Sequence, residues 1–315
     1  MEFLLVLIIF IIGIIMTVKG GDLFVDASIY IAEKTGISSG IIGATIVSIA
    51  TTLPEFFVST VASNEGFSEM AVGNALGSYI CNIAFIIGIC SLIKPIKIKG
   101  TFFGIKGVMM IAYLCIFFVM AKDGIITYSE GRQLILLIIL FIIINIFEHK
   151  RENVNSKKSK REPVKKKDLL INGIKFGVGG FLIVYGAHLL VDSGVKIANA
   201  LRIPKQVVSL TLLAIGTSIP EFITALTATV KNQQNISVGN ILGANILNIS
   251  VIMGASALVS DQGLMISRQT LFLDIPMAML AALTFVVVGL SKERIGRFTG
   301  LVLLGSYIAY LFIIF

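Results

Sequence analysis

Two short segments of the chain place a glutamate directly after a proline and two hydroxyl residues. The first, from Thr51 to Glu55, reads Thr-Thr-Leu-Pro-Glu, and the second, from Thr217 to Glu221, reads Thr-Ser-Ile-Pro-Glu. Both lie in strongly apolar surroundings, and a charged side chain at the centre of a bilayer costs at least about 2.5 to 3.5 kcal/mol. A glutamate repeated at such depth therefore indicates a functional site built from two parts.

Each proline predicts a break in its helix. Proline lacks an amide donor and its ring clashes with the carbonyl one turn earlier, so Pro54 should free the carbonyls near Ala50 and Thr51, and Pro220 the corresponding pair. In lipid, such backbone is tolerated only where it is buried in protein or lines a cavity. Further neutral oxygens come from the hydroxyls of Thr51, Thr52, Thr217 and Ser218. Carboxylate, hydroxyl and carbonyl oxygens without Cys or His are ligands for hard cations such as Ca²⁺ or Na⁺.

A second pair of blocks supplies polar and small residues. In the first copy Asn74, Ser78 and Asn82 are spaced by four and form one polar stripe on a helix, and in the second the stripe is Asn240, Ala244 and Asn248. Gly73 and Gly77 form a G-x-x-x-G surface for close backbone approach. These side chains are candidate walls of the cation site. The alternative, above all for Asn74 and Asn240, is hydrogen bonding between helices alone.

The composition determines the class of fold that must carry these segments. Of 315 residues, 56% are hydrophobic and 14% charged, and the mean hydropathy is +0.95, whereas soluble domains have about 45–50% apolar and about 25% charged residues. A water-soluble fold is excluded, and we predict an all-α membrane protein with ten transmembrane helices. Their predicted ranges are 3 to 19 (retained, with an amphipathic continuation to about 34), 40 to 64, 69 to 93, 101 to 121, 126 to 147, 169 to 200, 204 to 230, 235 to 259, 268 to 289 and 296 to 314.

The chain contains an internal duplication. Residues 20–93 align with 186–259 at a constant offset of 166, and 25 of these 74 pairs are identical. Five helices in each half is an odd number, so the second half must enter the membrane from the opposite side, and such inverted repeats are typical of secondary transporters. The predicted units are a first five-helix repeat over 1–147 with its core at 40–93, a linker over 148–168, and a second five-helix repeat over 169–315 with its core at 204–259.

The positive charge follows membrane topology. The net charge is +8, and nine Lys or Arg residues lie between Lys150 and Lys167. Basic segments of this kind stay on the cytoplasmic side, so we predict a cytoplasmic linker, extracellular termini and a location in the cell membrane. The bilayer is the expected partner, and nucleic acid is not.

Catalysis is a weaker interpretation of the sequence. His188 and Asp192 are spaced like an acyl-transfer pair, but the histidine is not duplicated, because the matching residues are Asp22 and Asp26. The chain has no G-x-x-x-x-G-K-[ST] loop for ATP. The three cysteines, Cys81, Cys90 and Cys115, lack metal-type spacing. We predict no enzyme activity, no cofactor, no use of ATP, and a monomer.

At both blocks, Gly43 to Glu55 with Gly73 to Asn82 and then Thr211 to Asn248, the sequence resembles the cation/Ca²⁺ exchanger superfamily, most closely its prokaryotic sodium/calcium exchangers. The resemblance implies an antiporter of ten helices in which the second, third, seventh and eighth form a compact core, and the first and sixth slide across it. It implies that Glu55 and Glu221 are shared ligands of Ca²⁺ and Na⁺. The carbonyls of Thr51 and Thr217 would complete the Ca²⁺ site.

The same resemblance implies flanking Na⁺ sites. Their ligands would be the hydroxyls of Thr52, Ser78, Thr217 and Ser218 and the carbonyls of Ser48 and Ala214, while Asn82 would line the middle. Two positions depart from the family pattern, because Asn248 and Ala244 stand where such exchangers usually carry an Asp and a Ser. Two carboxylates balance one Ca²⁺ or two Na⁺. A third Na⁺ would be uncompensated, since unit charges repel by about 4 kcal/mol at about 4 Å with an effective dielectric of about 20.

The sequence therefore predicts exchange of Ca²⁺ for Na⁺ by alternating access. Proton-coupled exchange is an alternative, because a desolvated carboxylate is able to carry a proton, and K⁺-coupled exchange is another. A cation channel is an alternative of a different class.

Overall fold

The computed structural model of this protein describes residues 2–35, 47–98, 101–152, 166–230 and 234–315. In this part of the chain, eight helices are long and apolar enough to cross a membrane. A ninth is added if Lys205–Thr217 and Ile219–Val230, which meet at an angle of 46°, count as one span. The predicted multi-span membrane protein is confirmed. Of the predicted helix at 40–64, residues 40 to 46 lie outside the described residues.

The described residues of the first half form seven α-helical segments. They are α1 (Glu2–Thr35), α2 (Val47–Thr51), α3 (Leu53–Asn64), α4 (Ser68–Ile80), which continues through a π-helical turn at Cys81–Ile87 into α5 (Gly88–Ile93), then α6 (Thr101–Met120), followed by a 3-10 turn at Ala121–Asp123, and α7 (Tyr128–Glu152).

The second half repeats this order with additional π-helical turns. Its segments are α8 (Lys166–Leu201), α9 (Lys205–Val208), a π-helical turn at Ser209–Leu213, α10 (Ala214–Thr217), α11 (Ile219–Val230), α12 (Gln234–Leu247), a π-helical turn at Asn248–Ile252, α13 (Met253–Val259), a π-helical turn at Thr270–Asp274, α14 (Ile275–Lys292) and α15 (Arg297–Ile314).

Helices α7 and α8 extend further than predicted. They run to Glu152 and begin at Lys166, so both enter the predicted linker at 148–168. Lys, Arg and Glu are good helix formers, and the polar residues that mark the end of a membrane span therefore need not end the helix. Residues 153–165 lie outside the described residues.

Two short antiparallel ribbons join the halves. Strand β1 (Ile96–Lys97) pairs with β4 (Arg294–Ile295), and β2 (Ile125–Ile126) pairs with β3 (Leu264–Met265). Each ribbon thus connects an interhelical segment of one half to one of the other. Strands of two residues carry no readable alternation of apolar and polar residues, so the sequence did not predict them.

Helices α4 and α12 lie at the centre of the bundle, and α1 pairs with α8 at its edge. In the spans Ser68–Ile93 and Ser237–Val259, 78% and 83% of the most apolar stretch is buried, against 22% in Phe3–Leu23. Glycines bring α1 and α8 together, because a Cβ at Gly20 would lie 2.8 Å from the carbonyl oxygen of Gly179. Such close backbone approach is typical of small residues between membrane helices.

Candidate cation site

Both Pro-Glu segments begin at a helix break. Thr52, between α2 and α3, has φ −84° and ψ −3°, and Ser218, between α10 and α11, has φ −83° and ψ 10°. These ψ values lie in the bridge region between helix and strand. Pro54 and Pro220 are the second residues of the helices that follow, where a missing amide breaks no hydrogen bond. The predicted breaks are confirmed.

The Glu55 carboxylate is held by hydroxyls from both halves. Its side chain is 1% exposed. Its Oε1 accepts a hydrogen bond from Ser218 Oγ at 3.0 Å and a longer one from Ser78 Oγ at 3.5 Å. In the described part of the chain, Oε2 has no hydrogen-bond partner. One oxygen of this carboxylate is therefore oriented and the other is available to a ligand.

The Glu221 carboxylate is buried without such support. Its side chain is 0% exposed, and neither oxygen accepts a hydrogen bond from any described residue. The position that matches Ser78 holds Ala244, whose methyl group cannot donate. The position that matches Ser218 holds Thr52, whose hydroxyl donates instead to the Ser48 carbonyl at 2.5 Å. The two Pro-Glu segments meet, because Ser218, three residues before Glu221, donates to the Glu55 carboxylate.

Two equivalent contacts join the Pro-Glu segments to the polar stripes. Thr51 Oγ1 donates to Asn240 Oδ1, and Thr217 Oγ1 donates to Asn74 Oδ1, both at 3.3 Å. The two threonines, like the two asparagines, are related by the sequence offset of 166. The two copies of each motif therefore meet across the halves, and the site has approximate two-fold symmetry.

Asn74 and Asn240 differ in how fully they are bonded. The Asn74 amide donates to Ser59 Oγ at 2.9 Å and to the Glu55 carbonyl at 3.2 Å, so hydrogen bonding between helices explains this residue. The position that matches Ser59 holds Ala225. Correspondingly, Nδ2 of Asn240 has no partner among the described residues.

Asn82 follows the first residue of the π-helical turn at Cys81–Ile87, and Asn248 begins the π-helical turn at Asn248–Ile252. Asn82 Nδ2 donates to Asn245 Oδ1 at 2.9 Å. Asn82 Oδ1 and both polar atoms of Asn248 are buried, and the described residues offer them no hydrogen bond. Turns of this type interrupt α-helices most often at functional sites. Both asparagines therefore have polar atoms available to a ligand.

The Ser48 and Ala214 carbonyls are already used by the protein. Ser48 O accepts the hydroxyl of Thr52 and its amide, the latter at 3.2 Å. Ala214 O accepts the Ser218 amide at 3.0 Å. The Thr217 hydroxyl lies 3.3 Å from Ala214 O, but it also faces Leu213 O at 3.1 Å and Asn74 Oδ1 at 3.3 Å and has one hydrogen to donate. A carbonyl oxygen has two lone pairs, so the Ser48 carbonyl must release the Thr52 hydroxyl before it can bind a cation. The Ala214 carbonyl keeps one lone pair when the Thr217 hydroxyl donates to another acceptor.

The predicted close approach at Gly73 and Gly77 is confirmed. A Cβ at Gly77 would lie 2.7 Å from both the Leu210 carbonyl oxygen and the Ala214 Cβ, and one at Gly73 would lie 3.0 Å from the Gln206 carbonyl oxygen. The absence of these side chains lets α4 touch the backbone of the second half. Ser78 and Ser218 can then reach the same carboxylate.

The chemistry of this site is that of a hard-cation site. A buried carboxylate is costly unless a charge or hydrogen bonds compensate it, and three of the four carboxylate oxygens here have no partner in the described residues. Hydroxyl and amide oxygens surround them. Six to eight such oxygens are what Ca²⁺ requires, and backbone carbonyls beside the helix breaks can contribute to that number.

Residues 5–147 and 173–315 each match the family model for the sodium/calcium exchanger protein. The chain belongs to this family. Among relatives of this exchanger, inner membrane protein YrbG of Escherichia coli is 31% identical over 96% of this chain and 94% of that protein. Sodium/calcium exchanger MaX1 of Methanosarcina acetivorans is 29% identical over 98% of both.

The fold of the exchanger also matches a solved structure. The sodium-calcium exchanger NCX_Mj superposes with a TM-score of 0.66 at 29% identity, over 98% of both chains. The family predicted from the Pro-Glu and Gly-Asn blocks is thus confirmed by sequence and by fold.

The exchanger has one residue beside the site that the sequence did not predict. Asn245 accepts the amide of Asn82 and donates to the Tyr79 carbonyl at 3.1 Å. It lies outside the stripe of residues spaced by four, and its counterpart in the first half is Tyr79. A search for residues repeated in both halves therefore does not find it. The available signal was a further asparagine in one apolar helix, between Asn240 and Asn248.

Among the described residues, His188 of the exchanger forms no hydrogen bond with Glu55 or Glu221. Its Nδ1 lies 2.9 Å from Glu65 Oε1, in the segment between α3 and α4. This contact joins α8 to the core of the bundle. It gives no support to an acyl-transfer pair with Asp192.

Proposed function

We propose that this protein moves Ca²⁺ and Na⁺ in opposite directions across the membrane by alternating access of one site. The observation that carries the proposal is the pair Glu55 and Glu221, two buried carboxylates from symmetry-related helix breaks that meet where Ser218 donates to Glu55. Membership of the sodium/calcium exchanger protein family supports the choice of ions. Two similar proteins, MaX1 and NCX_Mj, are named as sodium/calcium exchangers.

The proposed ligands are oxygens of the two helix breaks and the two π-helical turns. For Ca²⁺ they are the carboxylates of Glu55 and Glu221 and the carbonyls of Thr51 and Thr217. For Na⁺ they are the same carboxylates with the hydroxyls of Thr52, Ser78, Thr217 and Ser218 and the carbonyls of Ser48 and Ala214. Asn82 and Asn248 line the middle of the site.

The number of carboxylates sets the proposed stoichiometry. Asn248 and Ala244 supply neither a charge nor a hydroxyl where a third carboxylate and a serine would complete the family pattern. Two Na⁺ neutralise the glutamates that one Ca²⁺ would otherwise occupy, so the two loads exclude each other. A third Na⁺ would face repulsion of about 4 kcal/mol from a neighbour at about 4 Å. We therefore propose two Na⁺ for each Ca²⁺.

The proposed architecture is ten transmembrane helices in two inverted repeats, over 1–147 and 169–315. The ribbons support the inversion. Helix α6 has 20 residues, about 30 Å, so β1 before it and β2 after it lie at opposite ends of the bundle. In the alignment of the two halves, β3, which follows α13, corresponds to β1, which follows α5. Strand β3 nevertheless pairs with β2, at the end of the bundle opposite to β1. Equivalent parts of the two halves thus lie at opposite ends.

Charge supports an orientation for this bundle. The ribbon of β1 and β4 carries Lys97 and Arg294, and the linker at 148–168 is rich in Lys and Arg. Basic segments favour the cytoplasmic side. We propose a cytoplasmic linker, extracellular termini and a monomer in the cell membrane.

Ion flux in proteoliposomes tests the function. Vesicles preloaded with Na⁺ should take up Ca²⁺ when diluted into Na⁺-free buffer, and Glu55→Gln and Glu221→Gln should each abolish uptake. Glu69→Gln is the matched control, since Glu69 is an exposed glutamate at the start of α4, and it should transport normally. Uptake that ignores the Na⁺ gradient would sink the choice of coupling ion.

The same vesicles separate the alternatives. Uptake driven by a pH gradient without Na⁺ would favour proton coupling, and uptake that needs K⁺ on the Ca²⁺ side would favour K⁺ coupling. Ca²⁺ flux that needs no counter-ion would identify a channel.

A further inference from the structure

A second buried carboxylate cluster lies in the helices of the second half, outside the cation site. Asp274, the last residue of the π-helical turn before α14, is 0% exposed. Its Oδ2 accepts Gln206 Nε2 at 2.7 Å. Its Oδ1 accepts the Tyr310 hydroxyl at 2.8 Å and Gln269 Nε2 at 3.4 Å. All three donors are neutral, and bonds of this kind to a carboxylate are about twice as strong as those between neutral groups.

The Gln206 amide is bonded at both of its ends. Besides Asp274, its Nε2 donates to Thr270 Oγ1 at 2.8 Å, and its Oε1 accepts the Ser267 hydroxyl at 2.7 Å. Gln206 itself is 4% exposed. A buried amide held by this many partners has one orientation, so α9 is fixed against the turn at Thr270–Asp274 and, through Tyr310, against α15.

The opposite side of α9 is pressed against α4. The Gln206 carbonyl lies 3.0 Å from the position that a Cβ on Gly73 would occupy. Ser209 Oγ donates to the Met70 carbonyl at 2.5 Å. From Gln206 the chain continues in helical turns to Ser218, which donates to Glu55. Because packed helices transmit shifts rather than absorb them, the position of α9 determines where Ser218 meets the carboxylate.

The cluster of Asp274 and Gln206, here called the anchor, has no counterpart in the described part of the first half. By the offset of 166, Gln206 matches Gly40, which has no side chain to offer. Helix α6, the first-half counterpart of α14, contains Lys106 but no acidic residue. The cluster therefore is not part of the duplicated design.

We propose that Asp274 and Gln206 are positioning residues that set the register of α9 and α10 along α4, and thereby the cation affinity of the site. The proposal rests on the proposed function for its transport readout. Neither side chain touches the glutamates, so the effect on the ions is exerted through Thr217, Ser218 and Glu221.

Moving the carboxylate from position 274 to position 206 tests whether this pair of residues fixes α9. Asp274→Asn keeps the size and the acceptor for Tyr310 but places an amide donor against the donor of Gln206. Gln206→Glu alone places two carboxylates together. The double variant restores one carboxylate and one amide. Ser267 and Tyr310 keep donating, and the Thr270 hydroxyl, which accepts from Gln206 in the wild type, can turn to donate to the new carboxylate. Each single change should raise the half-saturating Ca²⁺ concentration by about tenfold with little change in maximal rate, and the double variant should return it to within about twofold.

A matched pair of tyrosines controls for the loss of one buried hydroxyl. Tyr310→Phe removes a donor to Asp274 and should weaken Ca²⁺ binding. Tyr113→Phe removes a buried hydroxyl that donates to the Leu137 carbonyl at 2.6 Å, away from the anchor, and should leave binding unchanged. Binding is read from thermal stabilisation by added Ca²⁺, which depends on occupancy of the folded state.

Amide hydrogen exchange over 205–217, without added cations, separates this proposal from the proposed function. Exchange should rise in Asp274→Asn and return in the double variant. Unchanged exchange, or single variants that lose thermal stability but keep the Ca²⁺ dependence of the wild type, would overturn the anchor. If hydrogen exchange changes in the variants as expected but the wild type neither binds Ca²⁺ nor couples its transport to Na⁺, the proposed function is wrong. The structural role of Asp274 and Gln206 in fixing α9 would still hold.

Discussion

Replacing Gly77 with alanine measures how tightly the two halves meet beside the site. The new methyl carbon would lie 2.7 Å from the Leu210 carbonyl oxygen and 2.7 Å from the Ala214 Cβ, whereas non-bonded carbons pack at about 3.5 to 4.0 Å. Both neighbours are fixed by the backbone, so α4 and the segment at 209–217 must separate by nearly an ångström. Such overpacking costs about 1–3 kcal/mol, which exceeds the roughly 0.5–1 kcal/mol that alanine gains over glycine within a helix.

The separation should act on stability and on transport together. Thermal unfolding in detergent should begin at a lower temperature in Gly77→Ala, and Na⁺-driven Ca²⁺ uptake should fall, because Ser218 moves away from Glu55 when α10 is displaced. Gly305→Ala is the control, since no described atom lies within 4 Å of its new Cβ, and it should be at least as stable as the wild type. Equal unfolding temperatures and equal uptake in the two variants would refute the close contact.

Two further substitutions test the differences between the halves. Asn248→Asp adds a third carboxylate beside the glutamates and should make Ca²⁺ uptake depend on membrane potential, measured with a K⁺ diffusion potential across the vesicle. Potential-dependent uptake already present in the wild type would contradict the charge balance proposed here. Ser59→Ala removes the 2.9 Å acceptor of Asn74 and should lower stability by about 0.5–1.5 kcal/mol. It should leave the Na⁺ dependence of uptake unchanged, since the second half already carries Ala225; a changed Na⁺ dependence would give Ser59 a role in ion binding.

The helix breaks and the glutamates were predictable because their causes are local. A proline removes an amide donor and disfavours an uninterrupted helix, and a carboxylate in an apolar stretch is costly unless a charge or hydrogen bonds compensate it. The duplication added the long-range information, since two copies of one motif in related halves must occupy equivalent places. From it the sequence predicted that Glu55 and Glu221 share a site, although it did not predict that Ser218 would hold Glu55.

Other features depend on contacts that no local pattern records. The π-helical turns at Cys81–Ile87 and Asn248–Ile252 follow from how the helices pack, and their residues have ordinary helical propensities. Asn245 and Asp274 belong to one half only, so a search for repeated residues passes over them. The resemblance implies that the carbonyls of Ser48 and Ala214 are ligands, but it does not show that hydroxyls of the following turn lie against them.

The two halves thus have the same order of helices but hold their glutamates in different ways. In the first half the carboxylate is restrained, because Ser218 and Ser78 donate to Glu55. In the second half Glu221 has no donor among the described residues, and the restraint lies instead in the backbone, through Gln206 and Asp274. A cation that meets one pre-oriented carboxylate pays less ordering entropy on binding. Because no donor among the described residues fixes the Glu221 carboxylate, its oxygens can adjust to either Ca²⁺ or Na⁺, which is what competition between two ions at one site requires.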